Sequence, residues 1–208
     1  MKILNLYAGI GGNRKLWGDE HEITAIEYKP KIAKIYQDFF PKDKVMVTDA
    51  HQYLLEHFAE FDFIWSSPPC PTHSQVRFIA TYEKGTDKIR QKPVYPAMEL
   101  YQEILLLNNY FRGKFCVENV IPFYPPLIPA IKVGSHLFWT NFFMPEARTE
   151  SRGHYATIDK LEERKGLDLS KYKNIDKRLA LRNCVEPELG KYILDLAVKP
   201  IEIQRTIF

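Results

Sequence analysis

The 208-residue sequence lacks any apolar run long enough to cross a membrane. Its longest stretch free of Asp, Glu, Lys and Arg, Phe63 to Val76, is broken by Pro68, Pro69 and Pro71, and falls short of the roughly 18 apolar residues a spanning helix requires. A soluble protein is expected. The opening segment, MKILNLYAGIGG, leads into glycines rather than a small-residue cleavage site, so no signal peptide is expected. Cysteine is scarce: Cys70, Cys116 and Cys184 form an odd, widely spaced set that closes no disulfide framework and fits no zinc pattern. A reducing cytoplasm suits them. His21, His51, His57, His73, His136 and His154 show no paired ligand spacing, so no metal is expected. There is no internal repeat, no GxSxG elbow and no phosphate-binding lysine motif. Neither sign of charge dominates, with 29 basic and 26 acidic residues and a net charge of +3.

What is present is ordinary globular usage: 45% apolar, 13% aromatic and 26% charged, which predicts one domain over residues 1–208. Short apolar runs at Ile3–Tyr7, Ile23–Glu27, Val45–Thr48, Phe61–Trp65 and Lys114–Glu118 read as strands. Between them, helical spacing marks Lys31–Phe40, a segment through Tyr53, Leu54 and Phe58, and Ala97–Phe111 with Met98, Tyr101, Ile104, Leu105 and Asn108 on one side. Such alternation predicts an α/β fold, a doubly wound, mostly parallel sheet covered on both faces. Leu137–Phe143 reads as a buried strand or hairpin arm, residues 145–181 as an insert, and Pro187–Val198, within a closing segment 182–198, as a helix. Ligands of doubly wound sheets bind beyond the strand C-termini. The glycine turn, Glu27, Asp49, Cys70 and Glu118 each fall at one such end.

Each of these residues has a plain reading beside a functional one. The turn Ala8-Gly9-Ile10-Gly11-Gly12 can bring amides at a helix start close to a ligand, or simply turn the chain. Glu27 can accept the hydroxyls of a ribose, or lie exposed. Asp49 can meet an adenine amino group, or cap the helix that follows. Cys70 follows two prolines on a loop that opens the segment Pro71–Pro96. There Arg77, Lys84, Lys88, Arg90 and Lys92 outnumber Glu83 and Asp87 by as much as basic residues outnumber acidic ones in the whole chain. An electropositive, partly exposed turn is the setting of a nucleophilic thiolate. Glu118, next to Asn119, can end a strand or hold a bound base.

In this order the elements resemble the DNA (cytosine-5) methyltransferase family over most of the chain. NLYAGIGG is similar to the family's first motif, Glu27-Tyr28 and Asp49-Ala50 to its cofactor-contacting pairs, SSPPCPTHS to its Pro-Cys motif, KFCVENV to its Glu-Asn-Val motif, and Arg182-Asn183-Cys184-Val185 to its G-N-x-V motif. Pro71 stands where the family has Gln, and Arg182 where it has Gly. Gly134 and His136 stand where it has two arginines, leaving His136 as a partial substitute.

The resemblance implies the S-adenosylmethionine-dependent, Rossmann-like methyltransferase fold. It implies catalysis by Cys70, Glu118 and Asn119, and a cofactor, S-adenosylmethionine, held by Tyr7, Ala8, Gly9, Gly11, Gly12, Glu27, Tyr28, Asp49, Ala50, Pro69 and Asn183. The partner is DNA, contacted by Ser74, Arg77, Lys84, Lys88, Arg90, Lys92 and His136. A methyl group passes to the 5-position of a flipped-out cytosine through a covalent Cys70 adduct. No metal or membrane takes part, and a monomer in a prokaryotic or phage-infected cytoplasm, as in restriction-modification, is expected. Residues 145–181 leave room for a reduced target-recognition region, and 182–198 would complete the cofactor pocket. Three other readings stand beside this one: cytosine-5 methylation of RNA, methylation of a DNA amino group (from Ser67-Pro68-Pro69), and a DNA-binding family member without turnover.

Overall fold

A computed structural model describes residues 1–86, 88–145 and 156–198. Five strands, β1 (Lys2–Leu6), β2 (Glu22–Ile26), β3 (Lys44–Met46), β4 (Phe63–Ser66) and β5 (Lys114–Val120), pair in parallel, and the hairpin β6 (Ile131–Val133) and β7 (His136–Thr140) adds antiparallel to β5. The order is β3-β2-β1-β4-β5-β7-β6. This is the expected α/β fold, a doubly wound, mostly parallel sheet. The strand order reverses between β1 and β4, and the crevice beyond their C-termini is the place for a ligand.

Alternation along the strands decides what covers each face. Leu4, Leu6, Ile64, Phe115 and Val117 pack on α2 (Ala50–His57) and α4 (Glu99–Tyr110). Ile3, Ile23, Phe63, Trp65 and Cys116 face α7 (Pro187–Val198), and Ala25 faces α1 (Pro30–Phe39). Pro30 starts α1 at a position where a missing N–H costs nothing. No helix among the described residues is long and apolar enough to cross a membrane.

Several expectations need correction. The glycine turn opens no α-helix: a 3-10 turn, Asn13–Leu16, follows it. The layer is completed instead by α7, where Gly190 packs so close to Asn13 that a Cβ would lie 2.4 Å from its carbonyl oxygen, and where the Gly190 carbonyl accepts the Trp17 indole N–H. In α4 the buried side is Leu100, Tyr101, Glu103, Ile104 and Leu107, whereas Met98, Leu105 and Asn108 are exposed. An acid at position 103 disguised that face. β5 runs two residues beyond Glu118 because β7 supplies pairing partners after β4 has ended.

The basic segment after Cys70 is not a plain loop. It contains α3 (Gln75–Thr81) and a bridge between Tyr82 and Ile89. Of the expected insert 145–181, residues 146–155 lie outside the described residues. The remainder forms α5 (Ile158–Lys165) and most of α6 (Lys177–Arg182); Leu161 of α5, Leu167 and Leu169 of the connection and Leu181 of α6 pack with Ile10 and with Ile35 of α1. The apolar side of this part of the insert is therefore occupied by the body of the domain.

Candidate active site

Four strand ends converge on the crevice. After β1, Tyr7 adopts φ 55° and Gly9 φ 56°, a left-handed conformation that is unusual for a tyrosine. The loop is anchored by Ala8 N–H on the Ile26 carbonyl, 2.9 Å. The three glycines behave differently. A Cβ on Gly9 would meet nothing within 4 Å, so this backbone faces open space. A Cβ on Gly11 would strike the Phe40 ring at 2.3 Å, and one on Gly12 the Cys184 Sγ at 2.2 Å. Gly11 and Gly12 answer to packing, and Gly9 is the one open to a ligand.

At the end of β2, Glu27 accepts the Gly9 N–H at 3.0 Å on one carboxylate oxygen and the Lys29 N–H at 2.8 Å on the other. That fixes the carboxylate at the crevice while leaving lone pairs unused. The adjoining Tyr28 ring is 73% exposed, a free aromatic face beside a fixed acid. Asp49 caps α2 through the Gln52 N–H at 2.8 Å, and Ala50 is buried. Asn183 ends α6 and is exposed, with Cys184 behind it against Gly12. The Lys165 ammonium donates to the Cys184 carbonyl and pairs with Glu186 at 2.9 Å, stapling α5 to this segment.

Beyond β4 the chain is held differently. Asn119 is buried, donates its side-chain amide to the Pro68 carbonyl at 2.9 Å, and accepts its neighbour's N–H from Val120. Its polar atoms fix the Pro68-Pro69-Cys70 turn to β5. Pro69 is exposed. The Cys70 carbonyl accepts the N–H groups of His73 and Ser74 at 3.0 and 3.1 Å. Because β4 ends opposite Val117, Glu118 lies past the paired region and alongside this turn. Its carboxylate is 12% exposed and 3.6 Å from the His136 ring.

The electrostatics of Cys70 correct the expectation of an electropositive setting. Burial pushes its thiol up from the ordinary value, and the charge of Glu118 pushes it further in the same direction. Resting Cys70 is a neutral thiol. Arg77, Lys84, Lys88, Arg90 and Lys92 are exposed and point to a surface role. Cys184 is pushed up to about 11 by burial, and Cys116 is fully buried. Among the described residues no cluster of three or more His, Cys, Asp or Glu is placed to hold a metal.

One group in the crevice wall carries no motif and was missing from the sequence-based candidates. Glu103 of α4 is fully buried, and its carboxylate accepts the Tyr7 hydroxyl at 2.6 Å and the Ser66 hydroxyl at 2.6 Å, with His51 Nδ1 at 3.0 Å. The available signal was faint: an acid within the apolar helix ELYQEILLL.

The family model described as "C-5 cytosine-specific DNA methylase" matches residues 1–121. No curated protein matches the chain. Among solved structures, a Spodoptera frugiperda DNMT2 mutant is similar at 26% identity and TM-score 0.37, covering 57% of this chain and 35% of that one. An Escherichia coli putative DNA modification methyltransferase encoded within a prophage is 15% identical at TM-score 0.39, covering 60% and 33%. A Thermus thermophilus hypothetical protein is 15% identical at TM-score 0.43, covering 67% and 73%. The chain thus spans about a third of the length of the first two.

Proposed function

The chain belongs to the C-5 cytosine-specific DNA methylase family, and from that premise we propose that it methylates the 5-position of cytosine in DNA through a covalent Cys70 adduct. The observation that carries this reading is the pairing of Cys70, on the turn after β4, with Glu118, on the part of β5 that outruns β4. A thiol and a carboxyl group at adjoining strand ends are what addition across a pyrimidine ring requires.

S-adenosylmethionine, when bound, supplies the electrophilic methyl group. The residues fit it: the open backbone at Gly9, the fixed Glu27 carboxylate and the exposed Tyr28 ring suit an amino acid moiety, a ribose and an adenine in turn. Cys70 Sγ forms a bond to C6 of the cytosine. The thiol proton leaves to solvent ahead of the attack, and ring nitrogen N3 then takes one up from water through Glu118, so the two proton steps balance. Burial, and after it the charge of Glu118, hold the resting thiol neutral until its proton leaves. C5 becomes nucleophilic and takes the methyl group; its proton then leaves to water, N3 gives back the proton it gained, and the C5–C6 double bond re-forms as the Sγ–C6 bond breaks and releases the Cys70 thiolate. His136 faces Glu118 from β7 and is placed to contact the same base.

C5 and C6 are shielded in a stacked duplex, so the base must be flipped out at a cost of a few kcal/mol. The lobe around α3 is the source of compensating contacts. It presents the basic residues named above together with exposed Val76, Ile79 and Tyr95, a combination suited to phosphates and unstacked bases. With the described part of the insert packed on α1, this lobe is also the proposed reader of a short target.

The test is incubation with cofactor and a duplex containing 5-fluorocytosine, which blocks elimination. A denaturation-resistant protein–DNA adduct is expected, and it should be absent from Cys70→Ser. No adduct on any cytosine-containing DNA would overturn the activity, and an adduct on RNA alone would replace the substrate.

A further inference from the structure

We infer that Glu103 is the positioning residue of the cofactor site, a buried carboxylate that ties the loop after β1, the end of β4 and the start of α2 into one preformed cradle. The inference rests on the cofactor reading above and deepens it.

Carboxylates are almost never fully buried unless paired, and burying one without partners is costly. Leu100, Ile104 and Leu107 show that the same face of α4 is otherwise apolar, so packing alone gives no reason for an acid at 103. Its partners do. Tyr7 belongs to the loop after β1 and Ser66 is the last residue of β4, and they follow the two strands that flank the switch point. His51 lies in the first turn of α2, directly after Asp49-Ala50. The two hydroxyls donate to the Glu103 carboxylate, and His51 Nδ1 is its third contact. One group thereby reaches the loop after β1, the end of β4 and the start of α2 together. The link to Tyr7 matters most, because that residue is held at φ 55°, a conformation that persists when its surroundings over-determine it. Its ring is fixed at one end by Glu103 and its backbone at the other by the Ala8–Ile26 bond.

The experiment compares wild type, Glu103→Gln, Tyr7→Phe and the double variant. Affinity for S-adenosylhomocysteine is measured by calorimetry, and amide hydrogen exchange is followed at residues 8–12 and 67–70 in the cofactor-free protein. Each single change should weaken affinity roughly tenfold, the scale of one charge-assisted hydrogen bond. The double variant should bind no more weakly than Glu103→Gln. Exchange in both loops should quicken, and the cofactor KM should rise by a larger factor than kcat falls. Additive losses, or unchanged affinity with unchanged exchange, would overturn the role. Should Glu103→Gln fail to fold, Tyr7→Phe and Ser66→Ala carry the same comparison. A wild-type protein that does not bind S-adenosylhomocysteine would refute the cofactor reading, and loop exchange would still decide whether Glu103 holds the cradle.

Discussion

The two sides of the crevice are built on opposite principles. The β1–β2 side is clamped. Arg14 beneath the glycine turn makes a two-point ion pair with Asp43 at 2.8 and 3.1 Å, Tyr36 donates to the same carboxylate at 2.8 Å, and the two charged residues are 3% and 5% exposed. Glu103 anchors the loop from the other face. The β4–β5 side holds the Pro68-Pro69-Cys70 turn through Asn119 and then releases the chain into an exposed lobe, with Val76 at 76% and Tyr95 at 94% exposure. A pocket that must fit one small molecule gains from preorganisation, whereas a surface that meets a long polyanion gains from reach and charge.

The strongest way to break the contrast is through stability. Asp43→Asn leaves buried Arg14 with only the exposed Asp19 carboxylate, 3.5 Å away, as countercharge and should cost about 3 kcal/mol in urea unfolding. Arg77→Ala in the lobe should stay within about 0.5 kcal/mol. Equal effects would erase the distinction between clamp and lobe.

A second probe compares pH responses. Burial and Glu118 raise the Cys70 thiol above its ordinary value, and addition requires loss of that proton. The rate of adduct formation should therefore climb with pH, by roughly tenfold per unit below the thiol pKa, where one deprotonation is rate-determining. A profile flat from about pH 6 to 8 would mean that Cys70 is already a thiolate. Glu118→Gln removes the charge that opposes ionisation and should lower the thiol pKa while slowing turnover.

The smallest expected effect concerns the lobe alone. Alanine at Lys84, Lys88 or Lys92 should leave cofactor affinity unchanged and reduce the slope of log K against log salt for duplex DNA by about 0.9 for each phosphate no longer neutralised. An unchanged slope in the triple variant would move the DNA interface elsewhere.

The five parallel strands were legible within two residues because each is a short apolar run bounded by a glycine, a proline or a charge, whereas β6 was not read at all and the end of β7 was placed three residues too far along. α7 was legible over its full length because Pro187 starts it. Legibility failed where a residue type is ambiguous by itself. Gly11 and Gly12 resemble ligand glycines but clear space for Phe40 and Cys184, which come from distant parts of the chain. The run from Ile104 to Leu107 supports more than one helix face, and the acid at 103 favours the wrong one. The part of the insert around α5 and α6 was read as polar because its few apolar residues are spread among charges, and packing against α1 buries Leu161, Leu167, Leu169 and Leu181 while Leu179 stays exposed.

What the sequence determined by itself is the order of chemistry along the chain: glycine turn, Glu27, Asp49, Cys70, Glu118, each at a strand end, because strand and turn are local consequences of apolar runs and backbone restriction. The tertiary structure decided which of these meet and in what charge state. Glu118 acts on Cys70 because β5 outruns β4, and Glu103 becomes a hub because helix packing carries an acid into the core beneath the loop after β1, the end of β4 and the start of α2. Register and burial are properties of the assembled sheet, set by pairings between residues far apart in the chain.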